Sequence, residues 1–167
     1  MQRFSEAAEN NKNHILLVLQ ERLPPNARVL EIGSGSGQHA LHIAAEMKSI
    51  IWQPTERSEG MPDLEKNLSD YGSPNILGPL QLDLSSEQWP DTDTNCVYSA
   101  NVMHIINEKL GESLVRGVGK NLSEEGLFIL YGPYKYSGDF TTQSNAEFHP
   151  WLKERDPNSG IRDFEWV

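Results

Sequence analysis

Hydrophobic and polar positions follow two different rhythms along this chain. Apolar residues recur every three or four positions from about Ser5 to Arg22, Gly37 to Met47, Met61 to Tyr71 and Glu108 to Asn121, which predicts four amphipathic helices. In the first, Ile15, Leu16, Val18, Leu19 and Leu23 form the apolar face, and Pro24-Pro25 ends the helix. Pro62 and Asp63 open the third helix and Gly72 closes it. Between these segments lie short apolar runs at Arg28–Ile32, Ile50–Pro54, Pro79–Leu84, Cys96–Ala100 and Leu127–Tyr131. Short runs with little polar interruption are characteristic of strands covered on both faces of a parallel sheet. The alternation therefore predicts an α/β fold of five parallel strands with helices on both faces. Beyond the fifth strand, Lys135 to Asn145 reads as a polar, aromatic loop, and a last helix is expected from Ala146 to Arg155.

The first strand runs directly into Gly33-Ser34-Gly35-Ser36-Gly37. Glycines let the backbone turn sharply and approach a ligand, and the helix behind them points free N–H groups at whatever covers the turn. A dinucleotide-binding turn reads G-x-G-x-x-G. Here the place of its third glycine is held by Gln38. Glu56, 23 positions beyond Gly33, falls at the tip of the second strand, where a carboxylate can accept both ribose hydroxyls. Asp83 at the end of the third strand either faces an adenine amino group or caps a following helix. Trp89 flanks the adenine or fills core. Asn101 and His104 follow the fourth strand, at the crevice where an open parallel sheet holds its ligand, and His104 is a candidate proton acceptor. The asparagines at 10, 11 and 13 read as solvated helix surface, with a hydrogen-bonding edge over the site as the alternative. His39 and His42 share a helix face, but no third ligand is near, so no metal is expected.

At 167 residues, 37% hydrophobic and 23% charged, the chain reads as one globular domain. Its net charge of −10 argues against a large basic groove for nucleic acid. The single cysteine, Cys96, excludes an internal disulfide framework and fits a reducing compartment. Without a long apolar span or a leader pattern, the expectation is a cytoplasmic protein off the membrane, with the nucleus left open.

The run Glu31-x-Gly33-x-Gly35-x-Gly37 resembles motif I of the class I S-adenosylmethionine-dependent methyltransferases, and Leu82-Asp83-Leu84 resembles their adenine-binding motif. More specific likenesses follow. Ser5-x-Ala7-Ala8-Glu9 with Asn11, the Glu31–Ala40 run, Trp52-Gln53-Pro54, Ala100-Asn101-x-x-His104-Ile105, Tyr131-Gly132-Pro133, Ser144-Asn145 and Gly160-Ile161-Arg162-Asp163 together resemble the methyltransferase-like 26 family, also called the domain-of-unknown-function 938 family. The resemblance implies a Rossmann-like methyltransferase with S-adenosylmethionine as cofactor. Its binding residues would be Glu31, Gly33, Ser34, Gly35, Gly37, Glu56, Asp83 and Asn101, with Asn101 and His104 as candidates for a part in the chemistry. The acceptor, a small molecule or a protein, is left unidentified, and so is the oligomeric state.

The chain departs from the family pattern at Thr55-Glu56, where serine and aspartate are expected, and at His149, where an acidic residue is expected. A methyltransferase sheet has seven strands, the last two forming an antiparallel hairpin. Five are counted here, so the expectation is a single domain over 1–167, shortened at its C-terminus. The fifth strand would then keep an unpaired edge, and the chain would stop at the start of another helix. Two rival readings remain at this level: a catalytically idle binding module of the same fold, and a nicotinamide-dependent oxidoreductase.

Overall fold

The alternation of short apolar runs and amphipathic helices builds a parallel sheet, and the computed structural model describes it over residues 1–167. In chain order the elements are α1 (Glu6–Arg22), β1 (Arg28–Ile32), α2 (Gln38–Glu46), β2 (Ile51–Glu56), α3 (Met61–Tyr71), β3 (Leu80–Gln81), β4 (Cys96–Ala100), α4 (Glu108–Asn121) and β5 (Leu127–Tyr131). They are followed by β6 (Tyr134–Tyr136), β7 (Asp139–Phe140), α5 (Gln143–Arg155) and β8 (Arg162–Asp163). The main sheet has the order β3-β2-β1-β4-β5, every neighbouring pair parallel.

Strand residues alternate between two cores. Val29, Trp52, Cys96 and Tyr98 pack with Leu19 of α1 and Ile43 of α2 on one face. Leu30, Ile32 and Val97 pack with Leu114 and Val118 of α4 on the other. Helices on both faces explain why the strands carry few polar residues. Strand order reverses between β1 and β4, and that reversal opens a crevice at their carboxyl ends. No helix is long and apolar enough to cross a membrane.

Several expectations are corrected. Val18 is exposed, so the apolar face of α1 is Ile15, Leu16 and Leu19. Among the asparagines, Asn11 is buried rather than solvated. Trp89 fills core against α4, the second of its two readings. The second strand runs through Pro54 and has Glu56 at its tip, as expected. Proline is tolerated there because residues of its parity bond away from β1. Trp52 exchanges bonds with Asn75 and Leu77, and Glu56 accepts from Leu82, while position 54 faces the gap around Gly78-Pro79. The same gap confines β3 to Leu80–Gln81, shorter than the expected Pro79–Leu84.

The supposed loop after β5 holds a second, three-stranded sheet in the order β7-β6-β8. Its hairpin turns at Ser137-Gly138, both with positive φ (53° and 86°), the backbone that a two-residue hairpin requires. α5 begins at Gln143, earlier than expected, because Thr142 caps it by accepting from the Asn145 amide. Phe164–Trp166 forms a turn after β8 rather than the start of a helix. β5 pairs only with β4, and its other edge is free.

One buried carboxylate ties the strand tips together. Glu31 Oε2 accepts from the Trp52 indole at 2.9 Å and from the Ser34 hydroxyl at 2.8 Å. The Ser34 hydroxyl accepts in turn from the Thr55 amide at 3.1 Å, and the Thr55 hydroxyl donates to the Glu31 carbonyl at 2.7 Å. Desolvation outweighs both hydrogen bonds and lifts the Glu31 carboxyl to about 7.

Two outcomes are expected. A carboxyl held protonated in the fold contributes stability that is full below its ordinary value of 4.5 and is lost as pH rises through about 7. Glu31→Gln keeps the acceptor oxygen and cannot ionise. Thermal melts of the two proteins should differ least at acid pH and separate toward about pH 8, the variant being more stable; a pH-independent difference overturns the assignment. Gly117 lies under the Trp89 ring, and a methyl there would overlap the indole. Gly117→Ala gains about 1 kcal/mol of helix propensity against about 1–3 kcal/mol of overpacking. Denaturant melts should show a net loss.

Candidate functional site

A cavity of ≈ 640 Å³ lies in the crevice at the carboxyl ends of the strands. The glycine turn, the β2 tip at Glu56-Arg57, the Leu82–Ser85 segment and the residues after β4 form its walls. Arg3, Ser5 and Ala8 from the N-terminus and Asp156 beyond α5 complete it. Of the residues picked out in the sequence, Gly33, Ser34, Gly35, Glu56, Asp83 and Asn101 line this cavity, whereas Glu31, Gly37 and His104 do not.

The glycine turn is held from within. Gly33, Gly35 and Gly37 all have positive φ (73°, 56° and 79°), which a residue with a Cβ adopts only with strain. A Cβ on Gly37 would stand 2.9 Å from Leu64 of α3, so this glycine caps α2 and packs against a helix instead of facing the cavity. Three N–H groups of the turn itself are committed. Ser34 N donates to the Thr55 carbonyl at 2.9 Å, Gly37 N to the Ser34 carbonyl at 2.8 Å, and Gly35 N to Glu56 Oε2 at 2.7 Å. Glu31 thus acts beneath the turn through Ser34, and Glu56 reaches across its top.

Glu56 also accepts from the Arg57 amide through Oε1, and each oxygen keeps a further lone pair for the cavity. Asp83 Oδ1 accepts from the amide and the hydroxyl of Ser85, at 2.8 and 2.7 Å, and these bonds hold its carboxyl below the usual range. They close a turn, not a helix, so the N-cap reading of Asp83 is wrong. Asn101 takes left-handed backbone (φ 59°) while its N–H donates to the Tyr131 carbonyl at 2.8 Å, linking the end of β4 to β5. His104 is buried, edge-on to Phe148, with Nδ1 unpartnered. Burial pushes it down to about 4, so the ring is neutral near neutral pH.

Residues outside the predicted site anchor the N-terminus. Gln38, in the place of the missing glycine, accepts from the Ser5 amide at 2.6 Å and the Ser36 hydroxyl at 2.9 Å, and donates to the Ser5 carbonyl at 3.1 Å. Fully buried Asn67 accepts from Gln2 N at 2.8 Å and donates to the Gln2 and Ser36 carbonyls. His39 bonds Asn11 Oδ1 through Nε2 at 2.8 Å and the Tyr98 hydroxyl through Nδ1 at 3.0 Å. Burial pushes this histidine down to about 4; a neutral ring accepting from Tyr98 then donates to Asn11. The departure at Gln38 and the asparagine run were the available signals.

Solved structures share this architecture. The apo form of the S-adenosylmethionine-dependent methyltransferase SibL superposes with a TM-score of 0.78 at 15% identity, over 96% of this chain and 46% of that one. PigF, solved with SAH, gives 0.74 at 17% identity over 83% and 42%. The YcgJ protein of Bacillus subtilis gives 0.71 at 18% identity over 94% and 64%. The chain therefore spans from under half to just under two thirds of the length of these structures. Such likenesses establish a Rossmann-like methyltransferase fold. Residues 2–167 match a single family model, and the chain belongs to the family described as "Protein of unknown function (DUF938)".

Proposed function

We propose that this chain binds S-adenosylmethionine over Gly33–Gly35 and transfers its methyl group to an acceptor received beside Asn101. The carrying observation is the bond from Gly35 N to Glu56 Oε2. A diphosphate-linked cofactor needs that amide and would meet a carboxylate already on it. A cationic cofactor with a ribose diol meets partners of the right sign instead. The structural neighbours described as S-adenosylmethionine-dependent or as solved with SAH support the same choice. Within the family, the motifs from Ser5 to Asp163 support a place in the methyltransferase-like 26 group.

Bound there, the cofactor supplies a methyl already activated on sulfur. Glu56 would accept the ribose hydroxyls, and Asp83 would accept from the adenine amino group with the lone pairs Ser85 leaves free. Glu31 takes no part in contact; it fixes the turn through Ser34. Asn101 would orient the acceptor, and Val102, Ile105 and Leu110 would exclude water around it. No proton transfer is assigned to His104, which is buried and does not line the cavity.

Isothermal calorimetry with S-adenosylhomocysteine tests the reading. The wild type should bind. Glu56→Ala, which loses hydrogen bonds to a charged group, should weaken binding by about tenfold to a hundredfold, from about 1.5–3 kcal/mol. Reduced nicotinamide cofactor should not bind. Absence of S-adenosylhomocysteine binding, or a Glu56→Ala variant that binds like wild type, overturns the proposal.

A further inference from the structure

The loop after β4 passes the cavity at Ile105, Ile106 and Asn107, and one distant segment takes three of its carbonyls in succession. The His104 carbonyl accepts from Gly160 N at 2.9 Å. The Ile105 carbonyl accepts from the Ser159 hydroxyl at 3.0 Å, and the Ile106 carbonyl from Arg162 Nη2 at 2.6 Å. Arg162 Nη2 also donates to the Asn158 carbonyl at 2.6 Å, so one guanidinium nitrogen joins the loop to the chain beyond α5. Asn107 then caps α4 by accepting from the Leu110 amide at 2.8 Å.

Arg162 is buried yet does not line the cavity. Its ion pair with Glu108 is long, at 3.4 Å, and the Glu108 side chain is 69% exposed, so that pair contributes little to holding the guanidinium inside. The carbonyls hold it. Irregular backbone ahead of a helix has no repeating partner for its C=O groups, and leaving them bare in the interior is costly. Loop and segment therefore specify one another across more than fifty residues of sequence. The bonds around Glu31, Glu56 and Asp83 share none of these atoms.

We propose that Arg162, with Ser159 and Gly160, is the positioning element of the acceptor wall: it sets where Ile105–Asn107 stand without touching a ligand. This rests on the methyl-transfer reading above and extends it to the acceptor side. In-line transfer depends on where the acceptor is held, and a displacement of about 1 Å can lower a rate about a hundredfold. Loss of the guanidinium should therefore impair transfer while sparing the cofactor half.

The test uses Arg162→Met, Arg162→Lys and Ser159→Ala in the full chain, with three measurements. These are affinity for S-adenosylhomocysteine by calorimetry, amide exchange across residues 101–110 by mass spectrometry, and tritium transfer from methyl-labelled S-adenosylmethionine into cell extract at saturating cofactor. Arg162→Met should keep wild-type affinity, exchange faster only in the loop, and lower labelling by up to about a hundredfold. Lysine, which can donate to the same two carbonyls, should restore most of the labelling, and Ser159→Ala should fall between. If Arg162→Met does not fold, the lysine and alanine variants carry the comparison through the same local exchange and labelling. Wild-type labelling in Arg162→Met or Ser159→Ala overturns the proposal, as does exchange that rises across the whole sheet together with lost affinity. A wild type that neither binds S-adenosylhomocysteine nor labels the extract overturns the methyl-transfer reading alone; loop exchange unchanged by the substitutions then overturns the part given to Arg162, and faster loop exchange upholds it.

Discussion

The glycine turn at the crevice depends on a carboxylate buried between the first two strands. Glu31 receives the Trp52 indole from β2 and the Ser34 hydroxyl from the glycine turn, and Ser34 in turn receives the Thr55 amide. A buried acid without those donors would carry the full penalty of desolvation. With them, it joins two strand tips and the first step of the turn into one unit. Its carboxyl still rises to about 7, so burial outweighs what the two donors return.

On that unit the glycine turn forms a closed arrangement. Ser34, Gly35 and Gly37 spend their N–H groups on Thr55, Glu56 and Ser34, and at Gly35 the turn presents a carboxylate in place of a free amide. This separates it physically from a phosphate-binding loop, although both begin with glycines after a strand. In the one case positive dipoles are left for an anion; in the other an acid has taken one of them and offers its remaining lone pairs.

Two distant segments brace the crevice from opposite sides. At the N-terminal side, Gln38 and Asn67 use side-chain amides to hold the backbone of Gln2 and Ser5 against the turn, while His39 binds Asn11 of α1. At the other side, Ser159, Gly160 and Arg162 hold the carbonyls of the loop after β4. In both places irregular backbone, which cannot satisfy itself, is satisfied by polar groups from far along the chain. The main sheet is thus a frame, and the shape of the cavity belongs to these long-range bonds.

How much of this was legible depended on whether a feature is local. The five strands, helices α1 to α4 and the glycine turn follow from periodicity and from glycine's backbone freedom, which short stretches carry by themselves; Gly33, Ser34, Gly35, Glu56, Asp83 and Asn101 reached the cavity because strand ends in a parallel sheet all open on one crevice. What only the tertiary structure decided was partnership. Whether Gly37 faces a ligand or Leu64, whether Asn11 meets water or His39, whether His104 reaches the cavity and what Arg162 holds are set by residues tens of positions away. The small sheet of β6, β7 and β8 had one local sign, Ser137-Gly138, but its parallel partner Arg162 arrives from beyond α5. Periodicity records which face of an element is covered. It does not record by what, because a hydrogen bond between distant segments leaves no repeat in either of them.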